Sequence, residues 1–238
     1  MVSMLPADLR TAETQARDAL LAALATTAQR RWSVEWRFEG LRILPLALRF
    51  SRALHQEGRA VDLLFPDAGS CALAKRDAPD LGDRMADFRS LLNRALEPSE
   101  ASDEALSGLL VAVAPAAPDY DMFAQICSHW AGSVVMLNGS LEDAAVGIGS
   151  VARQRRRGFM AEWQVAYALR PLEGSALRRA FPGEWELYRQ DPDGYRLVAS
   201  FDQPPDAEAQ AQALAGDDGL RLGANLKAVD AFIEGLSR

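Results

Sequence analysis

Four arginines stand within five positions in the stretch GIGSVARQRRRG, residues 147–158. The chain around them carries a formal net charge of −7. Guanidinium groups grip phosphate or carboxylate through paired donors, and a helix begun by Ser150 would aim its unpaired N–H groups at an anion. Arg153 and Arg157 lie four apart and share a helix face. Arg153, Arg156 and Arg157 are therefore candidate ligand- or partner-binding residues. Helical spacing puts Arg153 and Arg156 beside Phe159 and Met160, turned to the core or to a ligand, and leaves Arg155 and Arg157 mainly to solvent. The competing reading is a solvated charged face, with one arginine paired to Glu142 or Asp143.

Acidic and amide side chains recur where strands should stop. One apolar run ends in Phe65-Pro66-Asp67-Ala68-Gly69-Ser70, a second in Pro115 followed by Asp119 and Asp121, and a third in Leu137-Asn138-Gly139-Ser140. Open α/β sheets bind ligands at the carboxyl ends of their strands. Parallel strands would set Asp67, Asp119 and Asn138 along one rim, with the Ser70 hydroxyl beside them. Against this stands a local reading, in which Asp67 and Asp121 cap helices and Asn138-Gly139 makes a turn.

Other chemistries lack their residues. GIGSVA (147–152) has the letters of a dinucleotide loop, but it does not follow the first strand directly. No phosphate-loop pattern with Gly-Lys-Ser/Thr occurs, nor a Gly-x-Ser-x-Gly elbow. The two histidines, His55 and His129, stand without a set of metal ligands around them. Cys71, near a helix start, is acidic by position alone, although a buried apolar thiol is the commoner case. No cofactor is expected.

Positioning these residues requires strands and helices in alternation. A first helix is expected from Leu5 to about Trp32, with Pro6 and Asp8 at its start. WSVEWRF (32–38) alternates as a strand with Trp32, Val34, Trp36 and Phe38 on one face. A helix over 46–58 ends at Gly58. Strands over 60–67, 108–115 and 133–141 alternate with helices after residue 68, over 83–97 and over 120–132. An acidic loop covers 97–107. A long strand spans 161–172, and a hairpin pairs 184–190 with 195–201 through Asp191-Pro192-Asp193-Gly194. The pattern predicts a Rossmann-like three-layer α/β sandwich, its mixed sheet parallel at the centre with an antiparallel C-terminal edge hairpin. One domain over 1–202 is expected. Residues 203–238 read as a linker and an amphipathic helix packed on or appended to it, with Leu226, Val229, Phe232, Ile233 and Leu236 on one face.

Composition sets the class. The 238 residues are 49% hydrophobic and 25% charged, which fits a soluble globular protein. The acidic balance argues against broad nucleic-acid binding. No apolar run spans a bilayer, and the N-terminal residues lack the form of a secretory signal, so a cytoplasmic location is expected. Two lone cysteines, Cys71 and Cys127, suggest buried thiols and no disulfide framework.

Several phrases carry a family resemblance: FPDAGSCALAKRD, VAVAP, VMLNGSLED, GIGSVARQRRRGFMAEWQVAYALRPL and FPGEWELYR. Together, over about residues 5–202, they resemble an uncharacterised domain family of cyanobacteria and chloroplasts. Its plant members include the low photosystem II accumulation protein, and the domain is also fused behind a chloroplast adenylate kinase. Arg153, Arg156, Phe159 and the Phe181-Pro182-x-x-Trp185 run hold much of the likeness. The family pattern places proline where this chain has Gly139, which loosens that turn.

The resemblance implies a non-enzymatic factor that assists photosystem II assembly or thylakoid protein biogenesis. Its partners would be protein, photosystem II subunits or their assembly factors, and its place cytoplasmic or peripheral to the thylakoid membrane. It brings no catalytic residues. The residues themselves keep an alternative open: a nucleotide- or phosphometabolite-binding α/β enzyme using the strand-end acids and the arginines.

Overall fold

A computed structural model describes residues 5–26, 29–96, 107–141 and 150–216, with backbone alone for 150–153, 155 and 156. Its first helix, α1 (Leu9–Leu24), is started by Asp8, whose carboxylate accepts from the Thr11 amide at 2.7 Å. Strand β1 (Arg31–Trp36) follows, then α2 (Ile43–Gln56) and β2 (Val61–Phe65). Helix α3 (Ala68–Asp77) leads through a short 3₁₀ turn (Pro79–Arg84) into the three-residue strand β3 (Met85–Asp87) and α4 (Phe88–Leu96). Then come β4 (Leu109–Val113), α5 (Tyr120–His129), β5 (Ser133–Leu137) and α6 (Ser150–Ala161). Four strands complete the sheet: β6 (Gln164–Leu172), β7 (Ser175–Ala180), β8 (Trp185–Asp191) and β9 (Gly194–Phe201). A last helix, α7, covers 207–216.

The nine strands form one sheet in the order β3-β2-β4-β5-β1-β6-β7-β8-β9. The first six are parallel, and β6 to β9 run as an antiparallel meander. The expected hairpin is thus the outer half of a four-stranded extension. Two strands were not expected. Residues 85–87 add β3 where the spacing predicts one helix over 83–97, and β7 follows the long strand directly. The acidic loop over 97–106 and the amphipathic tail over 217–238 lie outside the described residues.

Both sheet faces are covered, which makes the layout Rossmann-like. On one face α1, α2 and α3 pack Ala16, Leu20, Leu46, Phe50, Leu54 and Cys71 against Trp32, Val34, Trp36 and Leu63. On the other, α4, α5 and α6 pack Phe88, Phe123, Ile126, Phe159 and Met160 against Leu64, Leu110 and Met136. The alternation of β1 explains its place. Trp36 meets Phe50 edge-on at 5.4 Å, and it is buried with Trp32 and Val34. Each such large side chain contributes about 1.5–3 kcal/mol by leaving water. Under the meander, α7 sets Ala213 and Leu214 against Trp185, Val198, Ala199 and Phe201.

Candidate functional site

The parallel order β2-β4-β5 does set Asp67, Asp119 and Asn138 along the carboxyl-end rim. Each already holds hydrogen-bond partners within the chain. Asp67 caps α3: its two oxygens accept from the Ser70 amide at 2.9 Å and the Ser70 hydroxyl at 2.7 Å. These bonds hold its carboxyl below the usual range, the Ser70 hydroxyl contributing most. Asp87 repeats the device with Ser90 on the neighbouring strand end. Asp119 accepts from the Ala116 amide at 2.9 Å and closes the turn after β4.

Asn138 sits at the crevice where ligands enter folds of this kind. After β1 the chain turns to α2 on one face; after β5 it turns to α6 on the other. Such a divergence between neighbouring strands opens a cleft. Here Asn138, at φ +50°, bridges it: its Oδ1 accepts from the Trp36 amide at 2.7 Å and its Nδ2 donates to the Trp36 carbonyl at 2.8 Å. Next to it, the Arg37 guanidinium donates to the Gly139 carbonyl at 2.6 Å.

A charged seam continues from there. Glu35 is buried on β1 and accepts from Arg170 of β6 at 2.8 and 3.1 Å, with Arg37 at 3.5 Å. Arg170 and Arg179 then stand over the ring of Trp185 at 5.3 and 5.8 Å. Glu35 and Arg37 lie on the polar side of the same alternation that identified β1. The partners that matter are distant in sequence: Arg170 is 135 residues from Glu35, and Gly139 is 102 from Arg37.

The apolar feature at this edge is a pocket of about 580 Å³ at the carboxyl ends of β1 and β6. Leu169, Pro171 and Ala176 of the sheet line it together with Leu5, Leu9, Phe38 and Leu41. Its size lies in the range of ligand and segment pockets, and its lining is mainly apolar. Tyr195 closes one side, and Tyr195 and Phe38 are 46% and 36% exposed. Four separate segments build it, so no local sequence pattern marks it.

Helix α6 starts at Ser150 and carries the arginine run, which places Phe159 and Met160 on the core side as spacing predicted. Arg157 is exposed. The side chains of Arg153, Arg155 and Arg156, with Glu142 and Asp143, lie outside the described residues.

Both thiols are buried and free. Burial raises the Cys71 thiol, overriding its helix-start position. Burial pushes Cys127 from 9.0 up to about 12. This neutral thiol favours the fold fully below pH ~9, and the benefit is lost as pH rises from there toward 12. Native chain at pH 8 should therefore leave Cys127 unlabelled by a thiol reagent, and urea should release both thiols in one step. Rapid labelling of Cys127 without denaturant would contradict its placement under Arg31, which donates to the Cys127 carbonyl. Among the described residues no group of three or more His, Cys, Asp or Glu side chains is set to hold a metal. Nor is any helix among them long and apolar enough to cross a membrane.

These features define a class: a three-layer α/β domain whose ligand-end crevice is bridged by an asparagine and flanked by an apolar pocket. The chain belongs to the family described as Domain of unknown function (DUF1995), whose pattern matches residues 6–212. Comparison with curated proteins and with solved structures found no match.

Proposed function

We propose that this chain is a non-enzymatic binding factor that seats the apolar face of an amphipathic protein segment in the pocket beside β1 and β6. The observation carrying this reading is the pairing of that open pocket with a carboxyl-end rim whose polar side chains are already engaged. Aromatic anchors such as Phe38 and Tyr195 suit protein recognition, since buried aromatic contacts dominate such interfaces. The resemblance to a domain family whose plant members include the low photosystem II accumulation protein points to photosystem II assembly or thylakoid biogenesis as the process, with a subunit or assembly factor as partner.

The test is capture from a thylakoid-containing lysate by the full chain and by Phe38→Asp. The full chain is expected to retain photosynthetic or membrane-biogenesis proteins that Phe38→Asp loses. Equal recovery by both, or none by either, sinks the proposal. The rival reading, a nucleotide- or phosphometabolite-binding enzyme, keeps the arginine run of α6 in its favour. The Asn138 bridge counts against it. Thermal shift with ATP, ADP, AMP, NAD and NADP separates the two, because ligand at 100 times its dissociation constant adds about 2.7 kcal/mol to stability.

A further inference from the structure

The pocket opens among connections between strands. The strand order and register bring the ends of β1 and β6, the β6–β7 turn and the β8–β9 turn to one end of the sheet. Each connection carries an exposed carboxylate: Glu39 after β1, Glu173 between β6 and β7, and Asp193 between β8 and β9. Glu39 lines the pocket, Glu173 stands in sequence between the lining residues Pro171 and Ala176, and Asp193 comes two residues before Tyr195. Among the described residues none of these three carboxylates is held in an ion pair.

The cations at this end are bound elsewhere. Arg37 and Arg170 are drawn to buried Glu35, and Arg189 and Arg196 to buried Asp191 at 3.7 and 3.0 Å. Alternation along β6 and β9 turns Arg170 and Arg196 to the opposite side from Pro171 and Tyr195. Asp8 lines the pocket too, but its carboxylate caps α1 through the Thr11 amide, with the Arg10 charge near it. Arg42 is the one cation among the lining residues described. The rim thus sets three exposed carboxylates against one exposed guanidinium, around an opening flanked by Phe38 and Tyr195. Leu197, 42% exposed and on the same side of β9 as Tyr195, extends the apolar surface.

We infer that the segment this pocket takes is basic: its apolar side chains enter between Phe38 and Tyr195, and lysines or arginines on its polar side meet Glu39, Glu173 and Asp193. This inference rests on the reading of the pocket as a site for an amphipathic segment, and it supplies the chemistry of the partner. An acidic segment with the same apolar side would bring like charges within a Debye length, ~10 Å at 0.1 M salt. Such juxtaposition is how an interface rejects a wrong partner. The length follows from the sheet. Neighbouring strands lie about 4.8 Å apart, so the step from β1 to β9 covers about 19 Å. A helix of about 13 residues spans that distance at 1.5 Å per residue.

Two synthetic helical peptides of about 18 residues test this, with identical leucine faces and polar faces of lysine in one and glutamate in the other. Binding to the full chain is read by fluorescence anisotropy at about 0.1 M and about 1 M salt. At the lower salt the lysine peptide should bind about tenfold more tightly or better, and at the higher salt the preference should shrink toward none. Glu39→Gln/Glu173→Gln/Asp193→Asn should lose the preference. Glu162→Gln/Glu184→Gln/Glu208→Gln, the same charge change at exposed positions away from the pocket, should keep it. Equal weakening by the two triple variants overturns the inference, because net charge and not the rim then attracts the peptide. Equal binding of both peptides, lost in Phe38→Asp, overturns it while the pocket reading stands. If neither peptide binds, the pocket reading and the inference fall together.

Discussion

Arg178→Met is expected to cost about 3–5 kcal/mol in a urea melt, the largest effect of any single charged residue described above. Arg178 lies on β7 beneath α1, and its side chain is 8% exposed. Its Nη1 donates to Glu186 Oε2 at 2.6 Å and its Nε to Gln15 Oε1 at 3.2 Å. The Tyr188 hydroxyl donates to the same Glu186 oxygen at 2.9 Å. Removing the arginine leaves a carboxylate that is 14% exposed without its opposite charge, and an uncompensated buried charge is far costlier than the pair is favourable. The double variant Arg178→Met/Glu186→Leu should therefore recover most of the loss. If the double variant is as unstable as the sum of its single variants, the pair is not the cause and packing under α1 is.

The second large effect concerns the bridge over the crevice. Asn138→Ala is expected to destabilise by about 2–4 kcal/mol, since it deprives both the amide and the carbonyl of buried Trp36 of partners. It also leaves a β-carbon at φ +50°, which costs roughly 1 kcal/mol more than glycine there. Asn138→Gly should thus be the milder variant, though still well below the parent. A ligand-contact role would predict the opposite pattern, with parental melts for both variants. That result would restore Asn138 to the binding rim.

The alternation of Trp32, Val34 and Trp36 located β1 and its buried face, because period-two patterning is local. Asp67 was legible as a cap for the same reason, and the structure adds Ser70 as its partner. Strand β3 was not legible: Met85, Phe88, Leu92 and Leu96 are spaced like one helix face, and only pairing with β2 draws residues 85–87 into the sheet. Strand β7 carries two adjacent arginines, and their burial depends on α1 and Trp185, which are distant in sequence. The apolar pocket was missed because its walls come from the N-terminal turn, the 38–42 loop, β6 with β7, and β9. Local patterns announce elements; they say little about surfaces that arise when distant elements meet.

The position of β1 also sets the order in which this chain can be completed on a ribosome. Its neighbours are β5 and β6, and the Asn138–Trp36 bridge spans 102 residues. At synthesis rates of about 5–20 residues per second, those 102 residues take on the order of 5–20 s to appear. Through that interval Trp32, Val34 and Trp36 have no strand beside them, and an unpaired apolar strand invites wrong pairing. Helix α1 and α2 can shield it only in part, since β5 and β6 supply its backbone partners. The middle of the sheet is thus made early and seated late, and the nascent chain needs protection longest around β1.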